Sequence, residues 1–455
     1  NLMNAPGERT SITAAHLWPT STTIQDRRLQ IAECDLAALA AEYGTPLYVL
    51  DADTIRTIAA RYTAALHHAY AGVVSIHYAS KALLNIGIAQ LMHRLGLGLD
   101  VVSGGELAIA QRAGVPLAHV HLHGNSTPPA ELAQAIELGV GRIMVDNLDQ
   151  LATLAQLTAR RASRQAIMLR IAPDIADGAH AHIRTGAAAA KFGLPLADGS
   201  AAAAVAQALA APGLELVGLH AHIGSQLRSW EAIQETINRL LRFAAEQRAA
   251  HGWVLSELSP GGGLAVAYMP AEQAGDIDTY ATTVSNAVRA GCERYGLPQP
   301  RLVIEPGRSL IARAGVALYT VTGRKAVPGG LDYLHIDGGM GDNARPAMYN
   351  AQYTAVLAAR PLDPPTTTVQ IAGRYCESGD ILIREVALPA ATPGEILAVP
   401  VAGAYTLSMS STYNGVPRPA LLLLDGGQVH VLQRRETVDD LVLRDLPLNM
   451  GAASS

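Results

Sequence analysis

Short β-branched runs alternate with helix-period segments along the first two thirds of the chain. The runs that predict strands lie at 73–79, 97–102, 119–123, 142–146, 166–171, 214–223, 254–258 and 301–305. Segments with apolar residues at i, i+3 and i+4 lie between them, at 86–95, 105–113, 129–138, 148–159 and 230–251. Eight strands that alternate with helices are the sequence form of a (β/α)8 barrel, so we expect an α/β, TIM-like barrel over residues 52–310.

The pattern changes after residue 311. Runs of alternating character follow at 317–322, 333–336, 366–371, 395–401, 420–424 and 428–433, and Gly- and Pro-rich turns separate them. This pattern predicts a mostly antiparallel β domain over residues 311–455. Residues 24–51 are expected to join the two domains, and the strand at 46–50 could pair with the β domain.

Composition and charge narrow the possible functions. A chain with 49% hydrophobic and 16% charged residues folds compactly, because it has enough apolar surface to bury. The 34 Lys and Arg residues against 39 Asp and Glu residues give a net charge of −5, and no large basic block is present. Nucleic acid is therefore not an expected partner.

Cysteine use and hydropathy indicate a compartment. Cys34, Cys292 and Cys376 are far apart and odd in number, with no C-x-x-C spacing, which argues against a disulfide framework or structural zinc. The most apolar stretch, 201–219, is interrupted by polar residues and proline, and no basic-then-apolar leader precedes the barrel region. We expect no membrane partner, a reducing environment and a cytoplasmic location.

Reactive residue types collect where the predicted barrel strands end. These are Lys81, Asp100, Arg170, His220, His222, Ser225, Gly261, Gly262, Gly263, Glu305 and Arg308. In a (β/α)8 barrel the carboxyl ends of the strands form the open mouth that holds the active site. We therefore expect these residues on one face of the barrel.

Three of these features indicate a specific chemistry, and each has a simpler alternative. A lysine that ends a buried strand has a lowered pKa, which suits an imine-forming nucleophile, although Lys81 could be a surface residue. Three successive glycines can form an anion-binding nest, although a plain turn gives the same pattern. Glu305 at a strand end needs a proton-bearing partner such as a pyridinium N–H, although an ion pair with Arg308 would also satisfy it.

Nine motifs occur in collinear order between residues 44 and 443. They are YASKA at 78–82, DVVSGGEL at 100–107, HGN at 123–125, KFG at 191–193, HAHIGS at 220–225, GGG at 261–263, EPGR at 305–308, CESGD at 376–380 and GAY at 403–405. Together they resemble the pyridoxal-phosphate-dependent diaminopimelate decarboxylases. Those enzymes belong to the fold-type-III group, which also includes ornithine and arginine decarboxylases.

The resemblance implies a cofactor and the residues that bind it. Lys81 would hold pyridoxal 5'-phosphate covalently with Asp100 beside it, and His222 would stack on the ring. Glu305 would pair with the pyridine nitrogen. The phosphate group would be bound by Ser225, Gly261, Gly262, Gly263 and Tyr405, with Arg308 also at the cofactor.

The resemblance also implies a substrate and a homodimer. Cys376 would donate a proton in the partner subunit's active site, so that each site is shared across the interface. The distal carboxylate would be held by Arg308, Arg345, Tyr349 and Tyr405, and the distal ammonium by Glu377, because guanidinium groups suit carboxylates and carboxylates suit ammonium groups. The implied reaction is decarboxylation of meso-2,6-diaminopimelate to L-lysine, the last step of lysine biosynthesis.

Some observations leave other functions open. Leu83, Ala172 and Ser126-Thr127 stand where many relatives have other residues, which bears on substrate preference. Decarboxylation of D-ornithine, D-lysine, ornithine or arginine is the nearest alternative. The H-x-H pairs at 121/123, 180/182 and 220/222 would suit a zinc-dependent barrel hydrolase, but the first strand ends in a lysine, so no metal is expected. A binding protein that has lost catalysis is disfavoured because Lys81 and Cys376 are both present.

Overall fold

The computed structural model describes residues 12–173 and 191–448, and the chain divides into two compact units. The barrel unit comprises Asp53–Ala267 and Ala271–Ala314. The sheet unit comprises the chain up to Ala52, the short stretch Tyr268–Pro270 and the chain from Gly315 onward. The sheet unit is therefore assembled from three separate parts of the sequence.

The sheet unit begins with a small antiparallel sheet that the sequence pattern did not predict. Its strands are β1 (Thr23–Gln25), β2 (Arg28–Ile31) and β3 (Cys34–Asp35). Helix α1 (Leu36–Tyr43) follows, and the carboxylate of Asp35 accepts hydrogen bonds from the first free backbone N–H groups of this helix. Strand β4 (Leu47–Asp51) is buried along its whole length.

The barrel unit contains nine strands and nine helices among the described residues. The strands are β5 (Val74–Ala79), β6 (Gly98–Val101), β7 (Val120–Leu122), β8 (Arg142–Val145), β9 (Gln165–Ala172), β10 (Leu194–Pro195), β11 (Leu214–His220), β12 (Glu257–Gly261) and β13 (Arg301–Ile304). The helices are α2 (Ala52–Ala69), α3 (Ile86–Arg94), α4 (Gly104–Arg112), α5 (Pro129–Leu138), α6 (Leu148–Thr158), α7 (Ser200–Ala210), α8 (Trp230–His251), α9 (Ile277–Tyr295) and α10 (Arg308–Ile311).

Eight of these strands close into a parallel barrel. The order is β5-β6-β7-β8-β9-β11-β12-β13, and β13 pairs with β5 to complete the ring, while β10 adds to β9 outside it. The predicted (β/α)8 fold is confirmed. Side chains that point inward near the carboxyl ends of the strands therefore meet at one mouth.

The sixth and seventh strands differ from their predicted bounds. Strand β11 ends at His220 rather than at 223, which leaves His222 and Ser225 in the loop that follows. Strand β12 is shifted toward the carboxyl end, because the apolar residues that suggested its start lie before it and Val254 is 43% exposed. The observed strand contains Pro260, a residue normally kept out of central strands, so propensity alone misplaced it.

The carboxy-terminal part of the sheet unit is a mixed sheet. Its elements are β14 (Gly315–Lys325), β15 (Asp332–Ile336), α11 (Arg345–Tyr349), β16 (Val356–Leu357), β17 (Thr367–Ala372), β18 (Ile381–Leu388), β19 (Ile396–Val399), β20 (Ala420–Asp425), β21 (Gln428–Gln433) and α12 (Val438–Val442). Most pairs are antiparallel, but β15 with β17 and β4 with β20 are parallel.

Strand β4 lies in the middle of this sheet, between β14 and β20, so the predicted pairing of the amino-terminal strand is confirmed. Strand β18 was not predicted, because Arg384 and Glu385 interrupt its alternation of buried and exposed residues. No helix in the described ranges combines the length and apolar character that a membrane crossing requires.

Candidate active site

A buried carboxylate, Glu305, lies at the centre of the barrel mouth immediately after β13. His220, at the end of β11, has its Nε2 atom 2.8 Å from Glu305 Oε2. The hydroxyl of Ser259 on β12 donates to Glu305 Oε1 at 2.8 Å, and the Gly261 N–H donates to that hydroxyl at 3.1 Å. Three neighbouring strands thus fix the position of this carboxylate.

The charge of Glu305 follows from these contacts. Burial by itself would raise the pKa of this carboxyl group. The attraction of the adjacent His220 imidazole and the hydrogen bonds from His220 and Ser259 outweigh burial and hold the pKa well below its usual value. Glu305 is therefore a buried anion.

Lys81 follows β5 in a single 3-10 turn at the same mouth. Lys81 is exposed to solvent, yet the groups around its amine still desolvate it in part. This desolvation, together with the positive charge of Arg170, lowers its pKa, and Glu305 and Asp100 oppose the shift only in part. Lys81 is consequently a better nucleophile at neutral pH than a surface lysine.

Asp100 lies on β6, in register with Ala79 on β5 and His121 on β7. Its Oδ1 atom is 3.6 Å from His123 Nε2, and 3.7 and 3.8 Å from the Nδ1 atoms of His77 and His121. Burial and the negative charge of Glu305 raise the pKa of Asp100 well above its usual value. Asp100 therefore holds a proton more tightly than an ordinary aspartate does.

Burial affects three of the imidazoles in the barrel interior, those of His77, His121 and His123. Burial lowers the pKa of His77 to about 4 and that of His123 to about 3, and it also lowers the pKa of His121. The rings of His77 and His121 stack with centroids 3.6 Å apart. Sequence reasoning did not single out His77, although a histidine two residues before the end of a buried strand was a usable signal.

The three glycines after β12 form a cradle that excludes side chains. A Cβ atom on Gly262 would lie 2.0 Å from the carbonyl oxygen of Glu305, and one on Gly263 would lie 2.3 Å from that of Gly224. Gly261 and Gly263 also have φ angles of +81° and +103°. Backbone groups can therefore approach an anion closely here, which fits the phosphate group that the sequence implied.

Other predicted cofactor residues lie beside this cradle. The Gly262 N–H group donates to Nδ1 of His222 at 3.4 Å. Burial, with the positive charge of Lys81, lowers the pKa of His222 well below its usual value, so the ring is neutral. Arg308 donates to the hydroxyl of Ser225 from Nε and Nη2 at 3.3 and 3.1 Å. The barrel unit thus brings together Lys81 and every other predicted cofactor residue except Tyr405.

The remaining predicted residues belong to the sheet unit. Arg345 begins α11 and is 6% exposed. Its guanidinium carbon lies 4.6 Å from the ring centroid of Tyr268 and 5.6 Å from that of Tyr353. The guanidinium group also donates a hydrogen bond to the hydroxyl of Tyr353. Tyr349 is 60% exposed, and Tyr405 is half-buried with a φ of +57°. Arg345 is therefore held rigidly, whereas Tyr349 is open to solvent.

Cys376 and Glu377 lie exposed on the loop between β17 and β18. Asp380, which is buried, accepts hydrogen bonds from the N–H groups of Met340 at 2.7 Å and Tyr375 at 2.9 Å. The N–H of Cys376 donates to the side chain of Asn414 at 2.9 Å. The loop thus presents a thiol and a carboxylate to solvent from a fixed backbone.

Two groups of possible metal ligands occur among the described residues. One contains His77, Asp100 and His121, and the other contains His123, His220 and Glu305. The pair 121/123 is thus divided between the two groups, whereas a zinc hydrolase would use such a pair on one ion. The pair 180/182 lies outside the described residues.

Residues 55–312 match the family model described as pyridoxal-dependent decarboxylase, pyridoxal binding domain. The chain is 40% identical over 433 residues to the diaminopimelate decarboxylase of Bacillus subtilis, covering 95% of this chain and 98% of that protein. It is 39% identical over 440 residues to that of Synechocystis, covering 94% and 93%.

Solved structures agree with these relatives. Diaminopimelate decarboxylase of M. jannaschii in complex with L-lysine has a TM-score of 0.86 at 32% identity, covering 94% of this chain and 98% of that one. The Helicobacter pylori enzyme complexed with L-lysine has a TM-score of 0.81 at 30% identity, covering 89% and 98%. This chain therefore belongs to the family of pyridoxal-dependent diaminopimelate decarboxylases, enzymes of the fold-type-III class.

Proposed function

We propose that this chain decarboxylates meso-2,6-diaminopimelate to L-lysine and carbon dioxide, with pyridoxal phosphate bound at Lys81. The observation that carries the proposal is the barrel mouth, where a lysine of lowered pKa, an anionic Glu305 and a glycine cradle occur in one unit. The names of the relatives, and the L-lysine in two of the similar structures, support this substrate and product.

The cofactor residues act as follows. Lys81 would hold the cofactor through Nζ, and its lowered pKa favours the unprotonated amine that this requires. The glycine cradle at 261–263 would leave room for the phosphate to approach the backbone, and Ser225, Arg308 and Tyr405 would bind it. The neutral imidazole of His222 would support the ring, and Glu305 would accept a hydrogen bond from a ring N–H. When bound, the cofactor supplies an electron-withdrawing ring that accepts the electron pair released as carbon dioxide leaves.

Asp100 has a supporting role beside Lys81. Because its pKa is raised, Asp100 is a weaker ion-pair partner for Lys81 than an ordinary aspartate would be. The proton on Asp100 can also be donated to a basic atom that forms at this position. This role explains why a costly buried carboxyl group occupies the barrel interior.

Cys376 is the proton donor in this proposal, and it acts in the active site of a second copy of the chain. Its position on an exposed, backbone-anchored loop supports this, because a thiol in such a loop is open to another subunit. The thiol delivers its proton to the carbon that has lost carbon dioxide. The protein is thus proposed to be a homodimer with shared sites, located in the cytoplasm.

Substrate selection depends on the far end of the molecule. Arg308, Arg345, Tyr349 and Tyr405 are proposed to bind the distal carboxylate, and Glu377 the distal ammonium. The guanidinium of Arg345 is already oriented by two tyrosine rings, so little entropy is lost when it binds a carboxylate. A substrate without the second carboxylate leaves these donors unpaired.

The test measures carbon dioxide release from meso-diaminopimelate, L-lysine, L-ornithine and L-arginine, with wild type, Lys81→Ala and Lys325→Ala. We expect diaminopimelate to be strongly preferred over the other three amino acids. We expect complete loss in Lys81→Ala and no loss in Lys325→Ala, because Lys325 is an exposed residue of the sheet unit. Borohydride reduction and peptide mapping should place the pyridoxyl group on Lys81. A label on Lys191 or Lys325, or a preference for another amino acid, would contradict the proposal.

A further inference from the structure

His220 has the most direct contact with Glu305, yet neither the family motifs nor the proposed chemistry gives it a role. The two residues are 85 positions apart in sequence, and His220 is only 1% exposed. Its Nε2 atom and the Ser259 hydroxyl each bond a different oxygen of Glu305. A carboxylate oxygen has two lone pairs, so each oxygen can still accept from a ligand.

The contacts determine which nitrogen of His220 carries the proton. Glu305 is an anion, so Nε2 must be the donor. Nδ1 of His220 is buried and has no hydrogen-bond partner among the described residues. The hydrogen shared by His220 and Glu305 is therefore carried by Nε2.

Other charges also face Glu305. His123 Nε2 is 4.0 Å from Oε1, and its neutral ring packs edge-on against His220 with centroids 5.1 Å apart. Lys81 and Asp100 face the same interior, and Arg170 on β9 contributes a positive charge. Of the imidazoles that surround the carboxylate, His220 makes the hydrogen bond.

We infer that His220 is a positioning residue that keeps Glu305 ionised and aimed at the pyridine nitrogen of the bound cofactor, so that the proton stays on that nitrogen. The inference rests on the proposed function, because it assumes that the cofactor binds with its nitrogen at Glu305. Without the hydrogen bond from His220, burial is the largest influence on the Glu305 carboxylate, and its affinity for a proton rises. The shared proton then moves from the ring to the carboxylate, and the ring withdraws electrons less strongly.

The chain offers a matched pair of variants for this test. In His220→Gln the amide nitrogen occupies about the position of Nε2, so a donor to Glu305 is kept. In His220→Asn the amide reaches only to the position of Nδ1, so a polar group is kept but the donor is lost. Both variants are reconstituted with pyridoxal phosphate carrying 15N at the ring nitrogen.

Two readouts separate positioning from simple structural support. The 15N chemical shift reports whether the ring nitrogen is protonated, and titration of the apoprotein gives the cofactor Kd. We expect a pyridinium signal in wild type and His220→Gln. We expect a neutral-pyridine signal in His220→Asn, with a Kd about 10- to 100-fold weaker, the size associated with losing a hydrogen bond to a charged group.

The possible failures are distinguishable. Equal 15N shifts and equal Kd values in the Gln and Asn variants would overturn the role of His220, even if both variants were less stable than wild type. If either variant does not fold, Ser259→Ala provides the test, because it removes the other donor to Glu305. The 15N chemical shift must then move toward that of neutral pyridine. An unchanged 15N shift in Ser259→Ala would also overturn the inference. Failure of wild type to form a reducible adduct at Lys81 would instead refute the proposed function.

Discussion

Replacing Gly262 by alanine tests whether the cradle depends on close backbone approach. The new Cβ atom would lie 2.0 Å from the Glu305 carbonyl oxygen and 2.8 Å from its carbonyl carbon. Ordinary C···O contacts are about 3.3 Å or longer, so β12 and β13 must separate by about 1.3 Å. Gly262 does not have a positive φ angle, so the effect is purely steric.

The size of the effect follows from this overlap. Overpacking of a dense interior costs about 1–3 kcal/mol. At roughly 2–4 °C per kcal/mol for a unit of this size, Tm should fall by about 2–12 °C. Because Glu305 itself is displaced by about an ångström, kcat/KM should fall about 10²-fold, in line with the cost of small misplacements at a reacting site.

The assay combines thermal unfolding of the holoenzyme, cofactor titration and steady-state carbon dioxide release. Gly105→Ala is the matched control in the same unit, because its Cβ would meet only the Ser103 hydroxyl at 3.6 Å, an ordinary contact. We expect the control to keep wild-type activity and a Tm within a few degrees. If Gly262→Ala behaves like the control, the steric account of the cradle is wrong.

Three further predictions concern subunits, specificity and pH. Mixing Lys81→Ala chains with Cys376→Ala chains should restore up to about one working site per hybrid dimer, and no recovery in verified hybrids would show that each site is built from one chain. Wild type should prefer meso-diaminopimelate over L-lysine by about 10⁴-fold in kcat/KM. Arg345→Ala should reduce this ratio of kcat/KM values. If Arg345 had a purely structural role, its replacement would instead lower kcat/KM equally for both substrates. Burial raises the pKa of Asp342 to about 6, above its value in the unfolded chain, so the free energy of unfolding of wild type should fall as pH rises from about 4 to about 6. Asp342→Asn should flatten this pH dependence, measured by urea denaturation. An unchanged slope in that variant would refute the assignment.

The barrel was predictable because its signal is repeated. Eight apolar runs with helix-period segments between them allow few other folds, and small errors such as the shift of β12 do not change the topology. Short strands carry a weaker signal, since the two- to four-residue strands β1, β2 and β3 lie within turns. Strand β18 was missed because charged residues interrupt its pattern.

Residue types at the site were predictable from strand ends and motifs, but their partners were not. The bond between His220 and Glu305 depends on how two strands meet across the mouth, which local sequence does not encode. The stacking of Arg345 on Tyr268 was even less predictable from the sequence, because Tyr268 lies within the barrel sequence yet belongs to the sheet unit. Such pairings follow only from the folded topology.

The central place of β4 in the sheet has a consequence during synthesis on the ribosome. This apolar strand is made early, but its neighbour β14 begins 315 − 51 = 264 residues after β4 ends. At roughly 5–20 residues per second, the strand waits about 13–53 s before its first partner exists, and longer for β20. The barrel can complete its own ring in that interval, while β4 is an unpaired, aggregation-prone segment that chaperones would need to shield.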